Sequence, residues 1–256
     1  MQNFLQDIIV NNLFAFILIL TRIGTIVSLM PGIGDSFVPK NVKAMFAISF
    51  SFILTPVISM NITTIPSSIF QFAMLVVTEA MIGVFIGTIL KLFIAALDVA
   101  GAVASAQSGL SNAMVFNPAS SSQGSIIGAV YAVTGITLIM ITDMHHYMLS
   151  SLVYSYNLFP TTAGMPDIGT MADAIAMTVN LAFRTGVEMA LPFVIVVTIL
   201  HIGTGLLGRL MPQMQIFFVA IPIQLALTLL MLSLTLSFSI IYWLSRYEEL
   251  INKVLS

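Results

Sequence analysis

Long apolar runs separated by short polar breaks dominate this chain. The runs cover about residues 8–30, 44–60, 69–97, 126–141, 147–159, 174–207 and 216–244. Breaks such as residues 31–35 and 160–173 contain proline and glycine, which do not extend a helix cheaply. The runs far exceed the roughly 10-residue alternating segments of a membrane barrel. The pattern therefore predicts an all-α, membrane-protein-like fold.

Composition sharpens this prediction. The chain is 59% hydrophobic and only 7% charged, with a mean hydropathy of +1.08, whereas ordinary domains carry roughly a quarter charged residues. Such a chain cannot cover itself with polar surface, so it sits in lipid or is covered by other protein on most sides. At about 20 residues per crossing, its length allows about six to eight spans.

The positions of charged residues give a weaker indication of which loops lie on which side of the membrane. Lys40 and Lys43 put the first break in the cytoplasm by the positive-inside tendency. With six spans, Arg209 lies on the same side and the acidic break around Asp167 lies opposite, while the mixed-charge tail fits poorly. The first ten residues lack Lys and Arg, so we expect the first apolar segment to be retained rather than cleaved as a signal peptide.

Several function classes receive no support. A net charge of −2 without a basic stripe argues against nucleic acid binding, and a chain without cysteine has no disulfide or thiolate metal site. We find no nucleophile elbow and no phosphate-binding loop, so we predict no enzyme and no cofactor. Neighbouring helical residues point about 100° apart, so we interpret His145 and His146 as structural or interfacial rather than metal ligands, and His201 likewise.

Charges inside apolar segments are costly and often functional. Here they are Arg22, Glu79, Lys91, Asp98, Arg184 and Glu188. The i, i+4 spacing lets Arg184 and Glu188 pair on one helix face, which favours a self-neutralised pair over an ion relay. Lys91 lies near a segment end and can extend its charge toward water.

Residues 101–125 differ from the rest because they are uncharged and rich in Ser, Ala, Gly, Asn and Gln. Non-helical backbone at membrane depth is tolerated when it is buried in protein or lines an aqueous cavity. Small residues permit close packing and glycine permits bending. From the residues alone, a pore-facing plug and an ordinary exposed interhelical loop stand as equal alternatives.

Three stretches carry a resemblance to a known family. The first is residues 22–43, with Pro31 and Phe37-Val38-Pro39-Lys40. The second is residues 79–120, with Glu79-Ala80-Met81-Ile82-Gly83 and Gln107-Ser108-Gly109-Leu110-Ser111. The third is residues 190–222, with Arg209-Leu210-Met211-Pro212-Gln213-Met214-Gln215. On these residues the chain resembles the FliR family, whose members serve in type III protein export in flagella and in virulence secretion systems.

The resemblance implies a helical export gate built from several subunits. Long helical hairpins of this chain would pack with several copies of FliP and FliQ, beside FlhB and FlhA, at the flagellar basal body in the bacterial inner membrane. Residues 1–165 would form a FliP-like part and residues 166–256 a FliQ-like two-helix hairpin. Unfolded flagellar protein would be the cargo.

The resemblance also implies a plug that occludes the pore, mapped onto residues 107–120. The residues that we assign to it are Gln107, Gly109, Leu110, Ser111, Met114, Phe116, Asn117 and Pro118. A charge beside a proline turn between two long apolar segments suits a hairpin tip that contacts other subunits. The residues that we assign to that tip are Arg209, Met211, Pro212, Gln213 and Gln215.

Two alternatives to a flagellar gate subunit remain. The equivalent subunit of a virulence injectisome would share the mechanism and export different cargo. A secondary transporter would show paired, repeat-related broken helices around a charged midplane site. Scattered charges and the lack of a clear internal repeat argue against the transporter.

Overall fold

The computed structural model describes residues 2–58, 68–109, 125–161, 164–211 and 216–255. In these ranges the chain forms seven helices and no strand. They are α1 (Gln2–Leu29), α2 (Lys40–Ile58), α3 (Ile69–Ser108), α4 (Ile126–Ile141), α5 (Met144–Leu158), α6 (Ile168–Leu210) and α7 (Ile216–Leu255). The predicted all-α class is confirmed.

The third helix is longer than its apolar run. We expected non-helical backbone from residue 101, and the structure instead continues α3 to Ser108. Two features of residues 98–108 explain the extension. Alanine, the best helix former, recurs there, and Ala100 and Ala104 lie fully buried one turn apart. The uncharged stretch is therefore divided between a helix end and the segment after it.

The last two helices also exceed their predicted lengths. α6 begins at Ile168 rather than near residue 174. At this helix start, the Asp167 carboxylate accepts a 3.0 Å hydrogen bond from the Gly169 backbone N–H. α7 continues through the tail that follows residue 244. Buried Trp243, Tyr247 and Leu250, spaced i, i+4 and i+7, give that tail an apolar face.

Two compact units make up the chain. Unit 1 comprises residues 1–92, 143–178 and 250–256, and unit 2 comprises residues 93–142 and 179–249. In unit 1, α1 packs against α2 and contributes a core of fully buried aliphatic residues. In unit 2, the Trp243 indole N–H donates a 3.1 Å hydrogen bond to the Phe93 carbonyl, and its ring stacks on Tyr247.

Apolar surface remains exposed on several helices. In the part of the chain that the structure describes, five helices are long and apolar enough to cross a membrane, or six if α4 and α5 count as one broken span. Only 17% of the most apolar window of α6, and the same share in α7, is buried, against 56% in α3. Lipid or other protein must cover the remaining apolar area.

Candidate functional site

A buried ion pair joins two helices inside unit 1. Arg22 of α1 is fully buried, and its Nε donates a hydrogen bond to the Glu79 carboxylate of α3, which is 1% exposed. Burial of two charges is expensive in free energy unless each is paired and its remaining polar atoms find partners. The geometry around Arg22 therefore decides whether this pair is tolerated.

The end of α5 supplies those partners. Arg22 Nη1 donates to the Ser155 carbonyl at 3.1 Å, and Nη2 donates to the Phe159 carbonyl at 2.9 Å. The Ser155 carbonyl also accepts the Phe159 backbone N–H at 2.9 Å, so Arg22 uses its second lone pair. A positive charge near the carboxyl end of a helix also interacts favourably with the helix dipole. The guanidinium also lies 4.0 Å above the centre of the Tyr156 ring, a cation–π contact. One arginine thus fixes α1, α3 and the end of α5 together.

A second polar group lies in unit 2 where α3 ends. Gly109 follows the helix with a positive φ of 72°, a conformation that L side chains rarely adopt. The Gln224 side-chain amide of α7 donates to the Gln107 carbonyl, one of the last carbonyls of α3. α7 therefore holds the point at which the chain leaves α3.

Ser125 holds the point at which the chain returns. As the N-cap of α4, its hydroxyl oxygen accepts a 2.9 Å hydrogen bond from the Gly128 N–H. The same hydroxyl donates to the Gly101 carbonyl at 2.7 Å, and it lies 2.6 Å from the Ser105 hydroxyl. With Ser105 as donor in that bond, both lone pairs and the proton of Ser125 are used.

We call the group formed by residues 101–109, residues 125–128 and Gln224 the loop stem. Its centre is a close backbone approach, because a Cβ atom on Gly101 would collide with the Gly128 backbone. The stem is uncharged, and it joins the end of α3 to α7 and the start of α4 to α3. Of the predicted plug residues, Gln107 and Gly109 lie in it, and the others from Leu110 to Pro118 lie outside the described residues.

This packing makes a prediction for Gly101→Ala. The added methyl meets backbone rather than a flexible side chain, so we expect a loss of about 1–3 kcal/mol in the free energy of unfolding. The control is Gly24→Ala in α1, where a Cβ meets nothing within 4 Å and helix propensity favours alanine by about 0.5–1 kcal/mol. Thermal unfolding of the purified assembly measures both, and equal behaviour of the two variants would contradict the close approach.

The charges predicted on α6 and α7 form an exposed network in unit 2. Arg184 Nε donates to the Glu188 carboxylate at 2.8 Å, so the predicted i, i+4 pair is present. Tyr242 of α7 donates its hydroxyl to the other Glu188 oxygen, and Arg246 Nη1 donates to Glu249 at 2.9 Å. The Tyr242–Glu188 hydrogen bond joins α7 to α6, and the two ion pairs neutralise charge within each helix. No sequence pattern indicated Tyr242 as a partner of this pair.

The other predicted residues that the structure describes in α3 and at the end of α6 are exposed. Lys91, Arg209 and Met211 are exposed. Pro212, Gln213 and Gln215, the remainder of the predicted hairpin tip, lie outside the described residues. The structure therefore brings together Arg22 with Glu79 and Arg184 with Glu188, and it leaves Lys91 and Arg209 apart from both pairs.

One group of side chains at the start of α5 has the composition of a metal site. Asp143, His145 and His146 each present a ligand atom, and these atoms all lie within 4.8 Å of one another. Our sequence interpretation assumed the 100° separation of a regular helix for the two histidines. The structure instead places their ring centres 4.2 Å apart, after Asp143 in the left-handed region with φ 58°. Both histidines lie in α5, so the closeness of their rings reflects side-chain orientation, and the left-handed turn bears on the position of Asp143 alone.

Comparisons with known proteins agree along most of the chain. The family model described as "Bacterial export proteins, family 1" matches residues 13–250. Flagellar biosynthetic protein FliR from Caulobacter vibrioides is 37% identical over 235 residues, which are 92% of this chain and 93% of that protein. FliR from Bacillus subtilis is 28% identical over 227 residues, which are 87% of this chain and 86% of that protein.

A virulence protein matches over a shorter length. Yop proteins translocation protein T from Yersinia pestis is 27% identical over 164 residues, which are 64% of this chain and 63% of that protein. The range that the family model matches contains the buried ion pair, the loop stem and the exposed charge network. The match thus extends over the described site in both units.

Proposed function

This chain belongs to the family of bacterial export proteins, family 1, and from that premise we propose how it works in protein export. It is a subunit of the flagellar type III export apparatus and a membrane protein of that apparatus, where it assembles with other export components. In our proposal it contributes to the wall of the protein-conducting pore and to its closure. We assign no catalytic step to this chain.

The observation that carries this proposal is the exposed apolar area on its helices. Phe52 of α2, Phe70 of α3 and Phe238 of α7 are 71–77% exposed. Side chains of this size gain about 1.5–3 kcal/mol each from full burial, so their exposure implies a covering partner or lipid. The partners that we propose are FliP and FliQ in the same particle, with FlhB and FlhA beside it in the inner membrane at the flagellar basal body.

The proposed likeness to FliP and FliQ divides the chain at a different place from the two compact units. Residues 1–165 would occupy a FliP-like position and residues 166–256 a FliQ-like one, with Arg209, Met211, Pro212, Gln213 and Gln215 at a subunit-contacting tip. Exposure of Arg209 and Met211 supports an accessible tip. The compact units group residues by contact within one chain, whereas this division concerns likeness to other subunits.

Partner dependence is the experiment that tests this function. We expect the chain expressed alone in detergent to aggregate or degrade, because its apolar faces have no cover. Co-expression with FliP and FliQ should instead give one monodisperse particle that contains all three chains, measured by size-exclusion chromatography and native mass spectrometry. Co-expression with an unrelated helical membrane protein is the control. A stable, monodisperse monomer would contradict the proposal.

For closure, we place the plug at residues 107–120. Two observations support a segment that rearranges on a fixed base. Hydrogen bonds of the loop stem hold the chain at Gln107 and again at Ser125, and the stem and the segment between these points carry no charge. A lumen without fixed charge suits many different unfolded chains, since a fixed charge favours some cargos and repels others. Leu110, Met114 and Phe116 would supply reversible apolar contacts in the closed state.

The injectisome alternative is supported by the Yersinia pestis protein alone among the relatives described above, at lower identity and over about two thirds of the chain. The FliR proteins match over more of the chain and at equal or higher identity. Identification of the secreted proteins decides between the two systems, because hook and rod proteins indicate a flagellum and needle proteins indicate an injectisome.

A further inference from the structure

We propose that Asp143, His145 and His146 form a binding site for a transition-metal dication of the Zn²⁺ class. All three residues lie in unit 1 at the start of α5. Imidazole nitrogens and a carboxylate oxygen are ligands that Zn²⁺ binds at about 2.0–2.2 Å. Three protein ligands leave the fourth tetrahedral position open to water or to a group from another molecule.

The distances need only a small adjustment to bind an ion. At Zn–N and Zn–O bonds of about 2.1 Å, tetrahedral ligand atoms lie roughly 3.4 Å apart. The three ligand atoms here lie within 4.8 Å of one another without an ion. Asp143 and His146 side chains are 76% and 68% exposed, so rotation of their outer atoms meets little steric resistance.

The ligand atoms are also not committed to other bonds. Asp143 is the N-cap of α5, yet its side chain makes no capping hydrogen bond. Its carboxylate instead lies 3.7 Å from His146 Nδ1, beyond hydrogen-bond distance. His145 Nδ1 is buried and has no hydrogen-bond partner. A buried polar atom without a partner costs free energy, and a metal ion or a proton-bearing ligand in this group would relieve that cost.

The backbone explains how sequence neighbours converge. Asp143 sits in the left-handed region with φ 58° and ψ 14°, so its side chain does not follow the spacing of a regular helix. The His146 N–H donates to the Asp143 carbonyl at 2.9 Å, which closes the turn. The two histidines lie within α5, and their ring centres are 4.2 Å apart. The turn therefore places the Asp143 carboxylate beside two neighbouring imidazole rings.

Cobalt binding tests this site directly. The complex with its partner subunits would be purified with a tag that contains no histidine, treated with a chelator, and titrated with Co²⁺, whose visible absorption reports the coordination geometry. We expect one Co²⁺ per copy of this chain beyond any ions held by the partners, displaced by Zn²⁺. His146→Ala and Asp143→Asn should each weaken this binding at least tenfold.

The matched control is His201→Ala, which removes an exposed histidine on α6 and should leave the titration unchanged. Because Asp143 and His146 are exposed, both variants should elute as the same monodisperse complex. The proposal is overturned if the Asp143, His145 and His146 triple-alanine complex binds as much Co²⁺ as the unmodified complex. Equal loss in His201→Ala would overturn it as well.

Discussion

We expect a deletion of residues 110–120 to raise the flux of ions and small molecules through the assembled gate. In this variant a glycine linker joins Gly109 to residue 121. The deletion removes Leu110, Met114, Val115 and Phe116. In the proposed closed state, partial burial of each of these side chains would contribute on the order of 1–2 kcal/mol. Closure by a few such contacts is reversible, so their removal should shift the gate strongly toward the open state.

Flux measurements on vesicles that contain the complex provide the readout. The deletion leaves the loop stem intact, so the particle should assemble with unchanged subunit composition. Val133→Ser, on the exposed face of α4, is the control for a general loss of apolar surface and should leave the membrane tight. Normal assembly of the deletion together with a tight membrane would contradict the plug and favour the ordinary interhelical loop.

Glu79→Leu is expected to be the most destabilising single substitution in unit 1. It leaves the Arg22 guanidinium fully buried without its carboxylate, and an uncompensated buried charge costs about 3–5 kcal/mol. Arg22→Met should cost a similar amount, because the buried Glu79 carboxylate then loses its cation and the Phe159 carbonyl loses the Arg22 donor. The yield of monodisperse complex and its thermal unfolding temperature measure both effects.

The double variant Arg22→Met with Glu79→Leu distinguishes a pairing effect from poor packing. Replacement of both charges by apolar groups of similar volume is often close to neutral, so the double variant should recover most of the stability lost in either single variant. Arg184→Met is the matched control, because that pair is exposed and worth about 0–1 kcal/mol. Losses that simply add in the double variant would contradict a coupled pair.

Local patterns in the sequence predicted most of the fold. Apolar runs gave the number and approximate positions of the helices, and i, i+4 spacing predicted the pairing of Arg184 with Glu188. Helix ends were less predictable. α3 reaches Ser108 because Ala100 and Ala104 are buried by tertiary contacts, and small uncharged residues give no local signal that distinguishes such a helix end from a loop.

Contacts between residues that are far apart in the sequence could not be predicted from one sequence. Arg22 and Glu79 were each identified as costly charges, yet they are 57 residues apart and no spacing rule relates them. Gln107 and Gln224 are separated by 117 residues. The cluster around Asp143 was missed for a different reason, since the prediction considered only the two histidines and did not anticipate the left-handed turn at Asp143. Such turns at non-glycine residues have weak sequence signatures.

In the proposed gate, residues 107–120 face the path of exported protein. The chain contains no cysteine, so a single introduced thiol reports one position of this subunit. Met114→Cys should crosslink to flagellar cargo that is halted in transit by a fusion domain that resists unfolding, whereas Val133→Cys on α4 should not. Cargo crosslinks from Val133→Cys and none from Met114→Cys, in complexes with equal amounts of halted cargo, would contradict the claim.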